Sequence, residues 1–438
     1  MFRGGSAVSR LAVIGAGYVG LTTAACMARL GHTVVAADID ADRVALLSKG
    51  EVPILEEGLP ELLAEGLASK RLRFVVGAAN AAPDAEFVFL CVPTPQGDDG
   101  SADLSFVEAV AREIAPTLRP GTVVVNKSTM PVGSTRVVER ILAAAGASIE
   151  EIGVASNPEF LREGTSVRDF LEPNRVVIGC DDPSVAVRVS ELYRGLKAPI
   201  LVTDSASAEM IKYASNAFLA TKISFVNAIA NLCEAVDADV REVVLGMGYD
   251  TRIGFEFLRP GPGYGGSCFP KDTAALLHAA EQAGYDFTLL QGVVDVNRRQ
   301  HERMVDKARE LVGGSLDGVR VAALGLTFKA NTDDLRDSPA VHIVRRLIEE
   351  GARVVAHDPA APARVLDLVP GLELAGDPYA ACAGAGLVAV LTEWDAFRWL
   401  DFGRVAAELA EARILDTRNL LDPAAMRRLG FVYEGVGR

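Results

Sequence analysis

"VIGAGYVG", residues 13–20, decides the fold. An aliphatic run, "RLAVIG", ends at Gly15, and Gly15, Gly17 and Gly20 then follow in a G-x-G-x-x-G spacing as a helical stretch opens. The first glycine permits a tight turn and the second a close approach of backbone to a pyrophosphate. The third lets the helix pack on the strand, and the helix N-terminus favours the anion's charge. The next strand, "HTVVAAD", ends on Asp38, 18 residues after Gly20. An acid there accepts hydrogen bonds from a ribose 2′-hydroxyl and repels a 2′-phosphate, so NAD is expected rather than NADP. Arg43 either reaches the adenosine side or is a solvated helix charge.

Outward from this unit the first 200 residues alternate β-rich runs with helical stretches. "LRFVVG", "EFVFLCVP", "GTVVVNKST" and "NRVVIG" continue the strands, an alternation that implies parallel βαβ units. From about Ser205 the pattern turns helical, starting with "SAEMIKYASNAFLATKISFVNAIANLCEAV", in which Phe218, Phe225, Ile229 and Leu232 read as a core stripe. From Leu316 strands return in "VRVAALG", "ARVVAHDP", "GLVAVLT" and "ARILDT". The expected class is α/β, with two Rossmann-type doubly wound parallel-sheet domains joined by a long central helix. The expected divisions are 1–204 for dinucleotide binding, 205–310 for a helical connector and 311–438 for the second α/β domain. "VRVAALGLTFKA" keeps one glycine after its strand and so lacks a dinucleotide fingerprint.

The bulk properties narrow the class further. A chain of 438 residues is too long for one core. Its net charge of −14 argues against nucleic acid or an anionic membrane as partner. The six cysteines (Cys26, Cys91, Cys180, Cys233, Cys268, Cys382) show no CxxC pair, which suits a reducing cytoplasm and neither a disulfide framework nor a metal site. Arg3 and Arg10 before an apolar stretch imitate an export signal, but the glycine spacing and the following strand mark folded domain. No other segment is expected to approach the roughly 20 apolar residues of a membrane span.

Five of the cysteines read as small buried hydrophobes. Cys268 does not, because "PGPGYGGSCFPKD", residues 260–272, sets it after a glycine-rich loop and before Pro270, which suits the first turn of a helix. The thiol then sits just outside a helix N-terminus, where the dipole favours thiolate; Lys271 adds to that effect and Asp272 opposes it. A nucleophilic thiol beside an NAD site has a chemical logic. An aldehyde cannot yield a second hydride until something adds to its carbonyl; thiolate addition gives a thiohemiacetal that can, and the resulting thioester is cleaved by water. The pairing points to an alcohol oxidised by four electrons to a carboxylate. Lys212 and Asn216, one turn apart in "EMIKYASNAF", share a helix face and could stabilise an oxyanion. Glu159 and Glu163 in "SNPEFLREG" repeat that spacing as acid–base groups or solvated charges.

Taken together, "VIGAGYVGL", "VPTP", "KSTMPVGST", "NPEFLREG", "KYASNAFLATKISFVN", "GPGYGGSCFPKD" and "LGLTFKANTDDLRDSP" resemble, in order and over nearly the whole chain, the UDP-glucose/GDP-mannose dehydrogenase family. The resemblance implies Cys268 as nucleophile, Lys212 as oxyanion-stabilising lysine with Asn216 beside it, and Asp272 as the carboxylate that helps a water act as base. It implies Thr129 and Glu159 as the pair around the hydrolytic water. For NAD it adds Arg43, Thr94, Thr129, Glu163, Lys271 and Arg336 to the three glycines and Asp38. For the UDP-sugar it implies Glu159, Phe160, Leu161, Arg162 and Glu163, then Lys212 and Asn216, then Phe257, Leu258, Arg259, Pro260, Gly261 and Gly265, and finally Lys329. Arg252 matches an arginine that reaches a neighbouring subunit's substrate, so a homodimer or higher homo-oligomer is implied. UDP-glucose is the implied sugar nucleotide, with GDP-mannose and UDP-N-acetylhexosamines as alternatives; a two-electron hydroxyacid-type enzyme would share the fold without needing the thiol. Ala228 departs from the family pattern, in which many members carry Glu after "KISFVN".

Overall fold

The computed structural model describes residues 8–97 and 99–438, and Arg3 lies outside them. The described chain divides into two compact units. One holds the residues up to Ser215 with Ala274–Gly284, and the other holds Asn216–Thr273 with Tyr285–Arg438.

The first unit carries β1 (Arg10–Ile14), β2 (Thr33–Asp38), β3 (Leu72–Val76), β4 (Phe87–Leu90), β5 (Val123–Asn126), β6 (Gly153–Ser156), β7 (Val176–Gly179) and β8 (Ile200–Thr203). They form one sheet in the order β3-β2-β1-β4-β5-β6-β7-β8. Side chains alternate across it: Leu11 and Val13 enter one core, Ala12 and Ile14 the other. Burial on both faces explains why these strands read as continuous apolar runs. One junction departs from the expected parallel pattern, because β6 and β7 meet antiparallel at Ser156 and Gly179. Only the short helix Ser166–Leu171 separates them, and the chain doubles back rather than making a full crossover.

The second unit carries β9 (Arg320–Leu324), β10 (Arg353–His357), β11 (Glu373–Leu374), β12 (Leu387–Val390), β13 (Arg413–Asp416) and β14 (Val432–Glu434), in the order β11-β10-β9-β12-β13-β14. Val321 and Ala323 face one core, Ala322 and Leu324 the other. The strands that sequence reading omits are β6, β8, β11 and β14. At two to four residues they are too short to show a period.

In chain order, between β8 and β9, come the helices Ser205–Ala235, Val240–Gly248, Phe269–Gln282 and Thr288–Leu311. The expected core stripe is corrected here. Phe218, Phe225 and Leu232 are 65%, 49% and 56% exposed, and only Ile229 packs partly against a core. Periodicity identifies a face that avoids water but not the surface that covers it. Tyr249, Ile253 and Phe255, also in the second unit, are exposed as well. The long helix, taken to Val236, also meets the length and composition of a membrane span, which overturns the expectation that no other segment comes close.

Candidate active site

The strand order of the first sheet reverses between β1 and β4, the crevice where doubly wound folds hold ligands. Each fingerprint glycine meets a distinct constraint there. Gly15 has φ of +95°, and a Cβ on Gly20 would lie 1.7 Å from the Gly15 carbonyl oxygen, so both positions exclude a side chain. A Cβ on Gly17 would meet nothing within 4 Å, and Gly17 caps the helix Tyr18–Arg29 with no side chain of its own. That open, donor-lined space fits a pyrophosphate. The Asp38 carboxylate accepts from the Ala16 N–H at 2.8 Å and the Asp40 N–H at 3.0 Å, and Arg43 pairs with it at 3.4 Å. Beyond β4 and β5, the Thr94 hydroxyl donates to the Thr129 carbonyl at 2.8 Å, bringing those two predicted residues together.

The same unit builds a buried ion pair. Lys212 Nζ lies 2.8 Å from Glu159 Oε1, with side chains only 4% and 5% exposed, and Leu161 N–H donates to Glu159 Oε2 at 2.6 Å. Burial alone would raise the Glu159 carboxyl; the Lys212 charge and these hydrogen bonds overcome it and hold the carboxyl below its ordinary range. Two cations approach the Phe160 ring, the Arg175 guanidinium at 3.5 Å and the Lys212 ammonium at 5.4 Å from its centre. Residues 157–162 are irregular rather than helical, so the four-residue spacing of Glu159 and Glu163 places them on no common face. Arg162 pairs with Asp169 at 2.6 Å.

Two groups here escaped sequence reading. Glu56, buried, accepts from Tyr18, Gly164 and Ser166, tying the fingerprint helix to the segment after "NPEFLRE". Lys127, in "KSTMPVGST", is 5% exposed. A lysine directly after the apolar strand β5 was the one available signal for it.

The second unit holds the thiol. Cys268 directly precedes the helix Phe269–Gln282, and its carbonyl accepts from the Asp272 N–H at 2.9 Å, so it occupies the N-cap. Cys268 Sγ lies 3.6 Å from Ser267 Oγ and is half-buried. Cys26, Cys91, Cys233 and Cys382 are buried; burial pushes Cys91 and Cys382 up to about 12. Cys180 departs from the expected pattern, half-buried at a strand end with its thiol 3.4 Å from the Val154 carbonyl. Buried Asp272 accepts from Asn216 Nδ2 at 2.6 Å and from Lys271 Nζ at 2.5 Å, which gathers two other predicted residues around its carboxylate.

The glycine loop before Cys268 has no sheet to satisfy its backbone, and side-chain amides do so instead. Asn227 accepts from the Gly261 N–H at 2.8 Å and Gln300 donates to the Gly261 carbonyl at 2.9 Å. Asn297 takes both backbone groups of Tyr264, at 2.8 and 3.0 Å. A Cβ on Gly265 would fall 1.9 Å from the Asp337 carbonyl oxygen, so the loop packs backbone to backbone on the segment after Lys329. Asp337 itself holds positive φ, as do Phe257 and Asn331 in the two segments that lead into this contact. Leu258 is buried, Pro260 half-buried and Arg259 exposed. Lys329 lies over the Phe328 ring, Arg336 chelates Asp334, and Arg252, 87% exposed, chelates Asp250.

Comparison with known proteins joins these features. Residues 9–197 match the "UDP-glucose/GDP-mannose dehydrogenase family, NAD binding domain", residues 206–299 that family's central domain and residues 322–423 its UDP binding domain. The chain is 45% identical over 435 residues to a UDP-glucose 6-dehydrogenase of Rhizobium meliloti, covering 98% of this chain and 99% of that protein. It is 46% identical to one of Pseudomonas aeruginosa, covering 98% and 97%. Among solved structures, a UDP-glucose dehydrogenase from the archaeon Pyrobaculum islandicum superposes with a TM-score of 0.92 at 39% identity, over 100% of this chain and 99% of that one.

Proposed function

Because the chain belongs to the UDP-glucose/GDP-mannose dehydrogenase family, we infer that it is an NAD-dependent UDP-glucose 6-dehydrogenase, oxidising the C6 alcohol by four electrons to UDP-glucuronate. One observation carries the four-electron reading: a half-buried thiol at a helix N-cap, on a chain that also holds a dinucleotide fingerprint. NAD would supply the hydride acceptor, one molecule for each of the two oxidations, and Gly15, Gly17, Gly20 and Asp38 would hold each in turn.

The roles of individual side chains are proposals. The first oxidation takes two electrons from the alcohol, whose proton passes to a water polarised by Asp272. Cys268 thiolate then forms a C–S bond to the aldehyde carbon, and Lys212 and Asn216 stabilise the oxygen's developing charge. The thiohemiacetal loses the second hydride to become a thioester. Water, oriented by Thr129 and Glu159, breaks the C–S bond and returns the thiol. Lys271, Glu163 and Arg336 act toward the cofactor, and residues 257–261, Gly265 and Lys329 toward the nucleotide-sugar. The segments 1–204, 205–310 and 311–438 divide the labour as cofactor, connector and UDP domains. Exposed Phe218, Phe225 and Leu232 on the connector support a homodimer, across which Arg252 would reach. The reading places the enzyme in the cytoplasm without nucleic-acid or membrane partners.

The test is to count NADH formed per UDP-glucose consumed, across a panel that includes GDP-mannose and UDP-N-acetylglucosamine. Two per UDP-glucose is expected, and one would overturn the reading. Cys268→Ser should nearly abolish acid formation while sparing NAD affinity in calorimetry, since an alkoxide is far harder to form than a thiolate at neutral pH.

A further inference from the structure

Lys127 follows β5 directly and is buried, yet everything it touches is neutral. Its ammonium donates to Asn157 Oδ1 at 3.0 Å and to the Tyr193 hydroxyl oxygen at 3.4 Å. The rings of Phe170 and Tyr193 face it at 5.8 and 5.7 Å. Among the described residues it makes no ion pair. The charged or titratable groups that act on it are Cys91 beyond β4, Glu159 beyond β6 and Lys212 on the long helix. Tyr193, which follows the helix Pro183–Leu192, also bonds it. Burial keeps both the Cys91 thiol and the Tyr193 phenol protonated, so the one anion is Glu159, already bonded to Lys212.

Lys127 therefore adds a second buried ammonium beside the carboxylate that Lys212 already pairs with. A buried cation with only neutral partners lowers stability, and an apolar side chain of like volume would fit at less cost. Tyr193 O–H donates to Asn157 Oδ1 independently, so removing the ammonium orphans neither group. Packing gives no reason for a charge here, whereas the reaction does. The Glu159–Lys212 pair alone is electrically balanced, while additions to a carbonyl create negative charge that a preorganised surplus of positive charge stabilises. The ammonium also reaches the chain just before Glu159, since Asn157 lies two residues ahead of it and is anchored to the Val177 carbonyl at 2.7 Å.

We propose that Lys127 is a positioning residue for the Glu159–Lys212 pair, supplying the surplus buried positive charge that the pair lacks and fixing the turn that carries Glu159. The inference rests on the catalytic reading of that pair given above. Burial pushes the Lys127 ammonium down to about 8, opposed by Cys91 and Glu159 and joined by a smaller push from Lys212, so its charge is present at neutral pH and lost as pH rises through that value.

The experiment compares kcat between pH 6 and 10, NAD affinity and Tm for the parent enzyme, Lys127→Met, Lys127→Arg and Lys212→Ala. Lys127→Met should lower kcat at neutral pH by about 10- to 100-fold and lose the alkaline fall in rate. NAD affinity should hold, and Tm should stay or rise. Lys127→Arg should restore much of the rate and carry it to higher pH. Parental kcat and pH profile in Lys127→Met, or a lower Tm with no rescue by arginine, would overturn the proposal. Lys212→Ala separates the two levels. If it turns over normally the catalytic reading itself fails, and if it is inactive while Lys127→Met is unaffected only this inference fails.

Discussion

The two sheets repeat one design and use it differently. Renumbered from its own first strand, each shows the order 3-2-1-4-5-6, with two further strands on the edge of the first. Each first strand is followed by a glycine with positive φ, Gly15 and Gly325, and an aspartate stands at the end of each second strand or just after it, Asp38 and Asp358. Both acids take the N–H of the residue after that glycine, Ala16 at 2.8 Å and Leu326 at 2.7 Å. Then the designs part. In the first sheet a helix starts at Tyr18; in the second no helix begins until Pro339. Asp38 meets three protein donors. Asp358 meets six, including Thr327 Oγ1 and Trp394 Nε1. A carboxylate has about four good acceptor sites, so Asp38 keeps capacity for a ribose hydroxyl and Asp358 is filled. Fold and dinucleotide site are separable, and an acid's unused lone pairs make the difference.

Three substitutions probe that contrast, from the largest effect down. Gly20→Ala sets a methyl against the Gly15 carbonyl oxygen, so calorimetry should find NAD binding lost, by more than ~100-fold, with a lower Tm. Retained affinity would mean the fingerprint is not the cofactor's seat. Asp358→Ala strands several buried donors and should cost about 2–4 kcal/mol in denaturant unfolding, with NAD affinity unchanged. A clear fall in NAD affinity would erase the distinction between the sheets. Asp38→Ala should weaken NAD by roughly tenfold, the scale of one charge-assisted hydrogen bond, and narrow the preference over NADP. An unchanged preference measured by initial rates would remove Asp38 from cofactor selection.

The first sheet's function was legible because its signals are local: a strand, three glycines and an acid fall within 30 residues. The second sheet's lack of a dinucleotide fingerprint was half legible, since the missing glycines show in the sequence, but the filling of Asp358 by Trp394 comes from across the fold. Cys268 was legible from its glycine-rich approach and Pro270. Its amide clamps were not, because Asn227, Asn297 and Gln300 stand more than 30 positions from the backbone they hold. Lys127 was quoted within a motif, yet only burial distinguishes it from a surface charge. The stripe of Phe218, Phe225 and Leu232 was seen and misassigned, since a period of 3.6 cannot separate a buried face from an exposed one.

The amide clamps bear on acidity. Asn227, Asn297 and Gln300 gain and lose no proton in water's ordinary range, and His301, which stands beneath the same loop at Gly263, is pushed down to about 4 by burial and by its neighbour His342. The amide clamps on the loop before Cys268 are thus electrically silent from mild acid to alkali. A change of pH over that range leaves their hold on Gly261 and Tyr264 in place, so its effect on turnover comes from ionising groups elsewhere.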